Sequence, residues 1–254
     1  METMYDTVTF YKAQAEADTR EYQQWFLKSH APTLINVGGA KRCVVNLIEP
    51  EPEKLPYRPS DELKTPDGKP AYDVVLEVSS IDHASYENLR RSFAILPKKT
   101  SLCHAYRVDR SLEKDELGEQ PIGEATPGLK FISKINWWKD MQPSAARRSW
   151  DNHVALALRV HIGASKYLRN WVTSKLTDSA PDTGGVTMLN FLSQYDLENR
   201  WFDSARGEQE IMHDKEHFVS GGNRLYAKEY LLFEPDRGKA RPIQTQRDGW
   251  RPWI

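Results

Sequence analysis

Three histidines have neighbours that suit acid–base chemistry: His30, His104 and His153. A neutral imidazole in an apolar pocket takes or gives a proton near pH 7. His153 follows Trp150 by three residues, and Leu156, Ala157 and Val160 after it would form a pocket wall. His30 stands in a similar setting behind Trp25 and Phe26. His104 lies in SLCHAYRVD, where strand alternation puts Leu102, His104 and Tyr106 on one face. If that face points inward, His104 enters a pocket of the first half and Tyr106 brings a phenol beside it. If it points outward, both are surface residues. Arg42 and Arg107 have the chemistry to pair with an anionic substrate group, although most arginines simply face solvent. The candidate catalytic set is therefore His30, His104 and His153. Trp25, Phe26, Tyr106, Trp150 and Arg42 are the candidate substrate contacts. Against this stands the plainer reading of each histidine as a buried ring hydrogen-bonded to backbone.

Two residue patterns test for metal and cofactor. HDKEH, from His213 to His217, fits the H-x-x-E-H arrangement of a zinc protease family. Histidines four apart share a helix face, but no third ligand is evident downstream, so no metal is expected. His153 or His161 has the donor type for an axial haem ligand, without any attachment motif. The chain contains no Gly-x-Gly-x-x-Gly, P-loop or Gly-x-Ser-x-Gly pattern. No nucleotide cofactor is expected. Trp137, Trp138, Trp150, Trp171 and Trp201 suit a core and would equally suit a flat, apolar ligand.

The elements that must position these residues come in two sets. WDNHVALALRVHIGASKYLRN (Trp150 to Asn170) reads as an amphipathic helix that breaks at Gly163 and becomes extended. WFLKSHAPTLINVGGAKRCVVN (Trp25 to Asn46) is a diverged copy, with Pro32 expected to bend the helix near His30. Strands are predicted at Thr7–Lys12, Ala40–Ile48, Tyr72–Val78 and Ser101–Asp109, with a second helix opened by Asp82. The same order recurs with strands at Leu129–Trp138, Tyr167–Val172, Val186–Ser193 and Arg224–Glu234, and with helices at Ser144, at Asp196 to about Gly207, and at Glu208–Phe218. Ser79-x-x-Asp82 and Ser193-x-x-Asp196 match at the third-strand ends. The fold class is α+β: two tandem ferredoxin-like βαββαβ units. Their bounds are 1–110 and 129–234, joined by a linker at 111–128. The first unit carries a proline-rich insertion at 49–70, read as an irregular excursion whose deletion spares the fold, serving as a lid on the first pocket or an arm to another subunit. A tail at 235–254 ends GWRPWI, whose tryptophans are expected to dock.

With 254 residues and a net charge of −1, the chain offers no electrostatic case for nucleic acid or an anionic membrane. No apolar run reaches the ~20 residues of a transmembrane helix. The start METMYDTVTF has no secretory pattern, and two scattered cysteines suit reduced thiols, so a cytoplasmic location is expected. The expected partner is a small aromatic or apolar substrate, with room for a homo-oligomer.

His30-Ala31-Pro32 behind an aromatic, WFDS at Trp201–Ser204, and Asp214 with Phe218 inside HDKEHF carry a family likeness. The chain resembles the dimeric α/β-barrel superfamily, and specifically its EthD-like branch. The second copy departs from the motif, with His153-Val154-Ala155 lacking the proline. The resemblance implies an intramolecular barrel made by two four-stranded sheets packed face to face, one from each tandem unit, with a pocket between each sheet and its helices. It also implies cofactor-free chemistry on aromatic or polyketide-like compounds by a lyase, isomerase or cyclase. An oxygenase, cofactor-free or haem-dependent, and a non-catalytic binding accessory protein are the alternatives. The first half, with His30, His104 and Tyr106, is the expected chemical pocket.

Overall fold

Alternating residues in the first segment form β1 (Tyr5–Ala13), and Asp18 then caps α1 (Thr19–Trp25) by accepting from Glu21 N at 2.9 Å. The computed structural model describes residues 5–37, 39–55, 61–62, 69–80 and 82–235. Pro32 acts where expected, through a wider turn and not a break. Phe26–His30 is π-helical, and the Ala31 amide donates to the Phe26 carbonyl one residue beyond the α-helical partner. The helix then resumes as α2 (Ala31–Val37), with proline in its first turn, where its missing N–H costs nothing. The half continues with β2 (Ala40–Glu49), a short β3 (Asp61–Glu62), β4 (Val74–Ser80), α3 (His83–Phe93) and β5 (Thr100–Asp115).

The second half runs β6 (Leu129–Trp137), α4 (Pro143–Val160), β7 (Ala164–Lys175), β8 (Gly185–Phe191), α5 (Gln194–Asn199), α6 (Ala205–Glu216) and β9 (Val219–Phe233). The helix expected to run from Asp196 to Gly207 divides around Trp201–Ser204, because Ser204 caps a fresh start by accepting from Gly207 N. Within the halves the strands lie in the orders β2-β4-β1-β5 and β7-β8-β6-β9, the same antiparallel arrangement twice. The halves join symmetrically, β5 against β7 and β2 against β9, which closes the barrel. Ser111–Asp115, read from sequence as the start of a linker, extends β5 because it pairs along β7 from Arg169 to Lys166.

Strand alternation separates two environments. Val8, Phe10, Val75, Val108, Ile132, Leu168, Met188 and Leu225 point into the barrel and form one core drawn from both halves. The opposite faces pack under helices: Tyr11, Phe26, Leu76 and Leu89 in the first half, Phe131, Leu189, Trp201 and Ile211 in the second. Each fully buried side chain of this size stabilises by roughly 1.5–3 kcal/mol. A charged layer is also buried in the barrel. Lys130 Nζ sits 2.5 Å from Glu77 Oε1 and 2.6 Å from Glu229 Oε2, so strands of both halves share one cation.

Glu51, Leu55 and β3 of the proline-rich segment lie on the second half, away from the expected lid on the first pocket, and the segment ends back at β1, where Lys12 Nζ donates to the Pro70 carbonyl at 2.8 Å. Glu51 accepts a two-point ion pair from Arg224, at 2.9 and 3.1 Å. Leu55 packs on the second half's helix-side core, and β3 adds in parallel to Asn223 and Arg224 of β9. Residues 56–60 and 63–68 of that segment, and the tail from 236 with Trp250 and Trp253, lie outside the described residues. No helix among the described residues is long and apolar enough to cross a membrane.

Candidate functional site

Helix α4 buries Ala146, Trp150, His153, Ala157 and Val160, spaced by three and four, so His153 belongs to the inward stripe. Helix α6 crosses beside it and buries Gly207 and Ile211. Asp214, three residues further, falls on the same side. Its carboxylate meets the imidazole: His153 Nδ1 to Asp214 Oδ2 is 2.6 Å. A carboxylate only accepts, which assigns the proton to Nδ1 and leaves Nε2 as the free basic nitrogen. Phe218 stands edge-on to the imidazole at 5.3 Å between ring centres.

His153 lines a cavity of about 280 Å³ between α4, α6 and the sheet, with Asp214 behind it outside the lining. Its walls are aromatic and aliphatic: Phe131, Trp150, Tyr167, Leu189, Trp201 and Phe218. Polar groups are few, with Ser133 and Thr187 on the floor and Lys215 and His161 at the sides. Gly222 lies at the edge, where an added Cβ would come within 2.6 Å of the Lys134 carbonyl, so only glycine lets β9 approach β6 there. His161 ends α4, and its Nδ1 lies 2.9 Å from the Trp201 carbonyl. Burial lowers its pKa to about 4, so it is neutral at physiological pH.

The other sequence candidates do not share this cavity. His30 stacks on Trp25 at 5.3 Å and meets Phe26 at 4.9 Å and Tyr11 at 6.1 Å, within the helix-side core of the first half. Burial lowers its pKa to about 4. His104 is on the opposite face of the same sheet. It pairs across the strands with Phe10, inside the barrel, whereas Tyr11 faces the helices. The expectation that His30 and His104 would meet in one pocket is therefore corrected by strand alternation. Tyr106 joins His104 inside the barrel, where Tyr72 Oη is 2.7 Å from His104 Nδ1 and Lys134 Nζ is 3.1 Å from Tyr106 Oη. Lys134 also lies 5.0–5.4 Å from the ring centres of Phe10, Tyr72 and Tyr106. Burial depresses this lysine to about 8, and burial together with Lys134 depresses His104 to about 4.

Arg42, read as a substrate contact, is engaged by Glu77 at 3.7 Å and Glu234 at 3.6 Å in the barrel's charged layer. Of the candidate set, only His153 and Trp150 line the cavity. This cavity lies in the second half, whereas the sequence preference was for a pocket in the first. Asp214 and His161 were not among the candidate catalytic residues, although the Asp214–Phe218 and WFDS motifs pointed to this region. The signal was the repeated element order, which places α4 and α6 on one sheet face. His213 and His217 stack edge-on at 4.7 Å, but His217 Nδ1 is committed to the His213 carbonyl at 2.8 Å. Among the described residues no group of three His, Cys, Asp or Glu side chains converges as a metal site would require.

The depressed histidines give a pH-dependent stability. A base whose folded pKa is lowered leaves the folded state with fewer bound protons than the unfolded chain. Stability should therefore be fully present above about pH 6.5 and fall as pH drops toward about 4. His161→Asn is expected to reduce the slope of unfolding free energy in that window by about one proton, ~1.4 kcal/mol per pH unit. Urea titrations at half-unit pH steps would measure it, and an unchanged slope would contradict the neutral, buried His161.

No family model matches the chain, and no curated protein matches its sequence. Among solved structures, an anthrone oxidase-like protein covers 91% of this chain and 94% of its own at 9% identity, with a TM-score of 0.58. A monooxygenase-like protein from Lactobacillus acidophilus NCFM covers 92% and 97% at 8% identity and TM-score 0.51. A chlorite dismutase variant from Candidatus Nitrospira defluvii covers 90% and 92% at 11% identity and TM-score 0.51. All share the dimeric α/β-barrel fold. At these identities the likeness is one of fold, over nearly the whole chain.

Proposed function

We propose that this protein is an enzyme acting on an aromatic or polycyclic small molecule by histidine acid–base chemistry, as a lyase, isomerase or cyclase without a cofactor. The observation that carries this reading is His153, which lines an aromatic-walled cavity and is held by Asp214 at 2.6 Å. His153 Nε2 takes a proton from a substrate hydroxyl, or from a carbon made acidic by a neighbouring carbonyl. The resulting imidazolium returns the proton to a leaving group or to another substrate atom. Asp214 holds the tautomer and the ring orientation throughout. Trp150, Trp201 and Phe218 fix the plane of the substrate, which lowers the entropy cost of reaching the reactive geometry. Within the superfamily we assign the chain to the EthD-like branch, because Trp201 of its WFDS motif and Phe218 of its Asp214–Phe218 pair both line this cavity. We read 1–110 and 129–234 as duplicated units, supported by their matching strand orders. Two buried free cysteines, Cys43 and Cys103, agree with a cytoplasmic setting.

The names of the fold neighbours favour a second reading, an oxygenase on the same scaffold. His153 and His161 offer nitrogen donors of the kind that haem takes. The cavity, at about 280 Å³, sits below the usual range of roughly 300–1,000 Å³ for ligand pockets and does not fit a porphyrin with its substituents. The discriminating experiment incubates purified protein with hydroxylated polycyclic aromatics while recording product and dissolved oxygen. Acid–base chemistry gives the same product at the same rate without oxygen. Uptake in step with product supports the oxygenase, a Soret band in the visible spectrum reinstates haem, and binding without turnover points to an accessory protein.

A further inference from the structure

His161 lies eight residues beyond His153, at the far end of α4, a rise of about 12 Å along the helix. Both rings line the cavity, and both have the same fixed polarity. Each commits Nδ1–H to an acceptor, Asp214 in one case and the Trp201 carbonyl in the other. In each ring Nε2 is the nitrogen left to meet what the cavity holds. Between them the walls are apolar, with Ala157, Phe131, Leu189 and Trp201. Ser133 and Thr187 on the floor can donate or accept, so they do not discriminate. Lys215 only donates, and Glu216 is exposed at the rim. The two imidazoles are thus the fixed acceptors, one toward each end of an aromatic slot.

We infer that the cavity takes a flat aromatic ligand with a hydroxyl donor at each end, and that His161 is the specificity-determining residue that reads the hydroxyl remote from His153. The inference rests on the proposed reading of the His153 cavity and names its substrate class. A ligand with a carbonyl or ether oxygen at the far end would set lone pair against lone pair. It would also leave the His161 ring nitrogen unsatisfied, at a loss of about tenfold in affinity. Burial keeps His161 neutral down to about pH 4, so its ring does not convert to a second donor in the physiological range.

The test is equilibrium binding to the full chain, followed by quenching of tryptophan fluorescence. The probes are monohydroxyanthracene, a dihydroxyanthracene with hydroxyls on its two outer rings, and the monomethyl ether of that diol. The diol is expected to bind about tenfold tighter than the other two, the worth of one hydrogen bond to a buried acceptor. His161→Asn keeps an N–H for the Trp201 carbonyl, and its one acceptor, Oδ1 on Cγ, falls short of the place that Nε2 reaches. It should bring the diol to the affinity of monohydroxyanthracene and leave the latter unchanged within about twofold. The comparison of diol with its ether in the unmodified protein needs no variant. Equal affinity of diol and ether, or an equal loss for all probes in His161→Asn, overturns the inference while the reading of His153 stands. Failure of every probe to bind overturns both.

Discussion

His153→Ala is expected to lower kcat/KM by about 10²–10⁴-fold with little change in melting temperature, the loss usual for a positioned general acid or base. The effect on fold should be small because the imidazole's polar partner is a half-exposed carboxylate and its ring packs mainly on Phe218. Asp214→Asn should be nearly as damaging. An asparagine amide can donate to Nδ1, which moves the ring proton to Nε2 and removes the base from the cavity. His30→Ala and His104→Ala alter a packed core and the barrel interior, so turnover per folded molecule should stay within about threefold. Loss confined to His104→Ala would shift the chemistry to the cluster of His104, Tyr72 and Lys134.

The second large effect is on stability. Lys130→Met should destabilise the fold by about 3–5 kcal/mol, because it leaves Glu77 and Glu229 facing each other without the cation between them. Both carboxyls are held below the usual carboxylate range, chiefly by Lys130, against the opposing effect of burial. Arg110 at 3.3 Å and Arg42 at 3.7 Å also face Glu77, whereas Glu229 has Thr126 at 3.2 Å as a neutral partner. Glu229→Gln in the Lys130→Met background should therefore recover much of the loss. Chemical denaturation of the single and double variants measures this coupling. A single variant as stable as the parent would show that the buried cation contributes nothing.

Periodicity made the elements legible. The stripe Trp150, His153, Ala157, Val160 marked α4 and its inward histidine, and Asp18 and Asp82 marked helix starts that the structure keeps. The facing of β5 was not legible, since alternation groups Leu102, His104 and Tyr106 without saying which side holds the helices. That depends on how the halves close, a fact of pairing between β5 and β7. For the same reason Arg42 looked available from sequence, while Glu77 and Glu234, 35 and 192 positions away in the chain, occupy it. Asp214 stood in a recognised motif, yet its partner His153 is 61 residues earlier, and only the crossing of α4 and α6 joins them. The proline-rich segment was legible as irregular but not in its destination, which the Glu51–Arg224 pair sets on the second half.

The most direct test of the second-half cavity as the working site is a crystal structure with a hydroxylated polycyclic aromatic bound. The expected result is the ring system in the cavity lined by Trp150, Trp201 and Phe218, with a polar atom about 3 Å from His153 Nε2. A ligand held instead beside His104, Tyr72 and Lys134 within the barrel, or against His30 and Trp25, would contradict it.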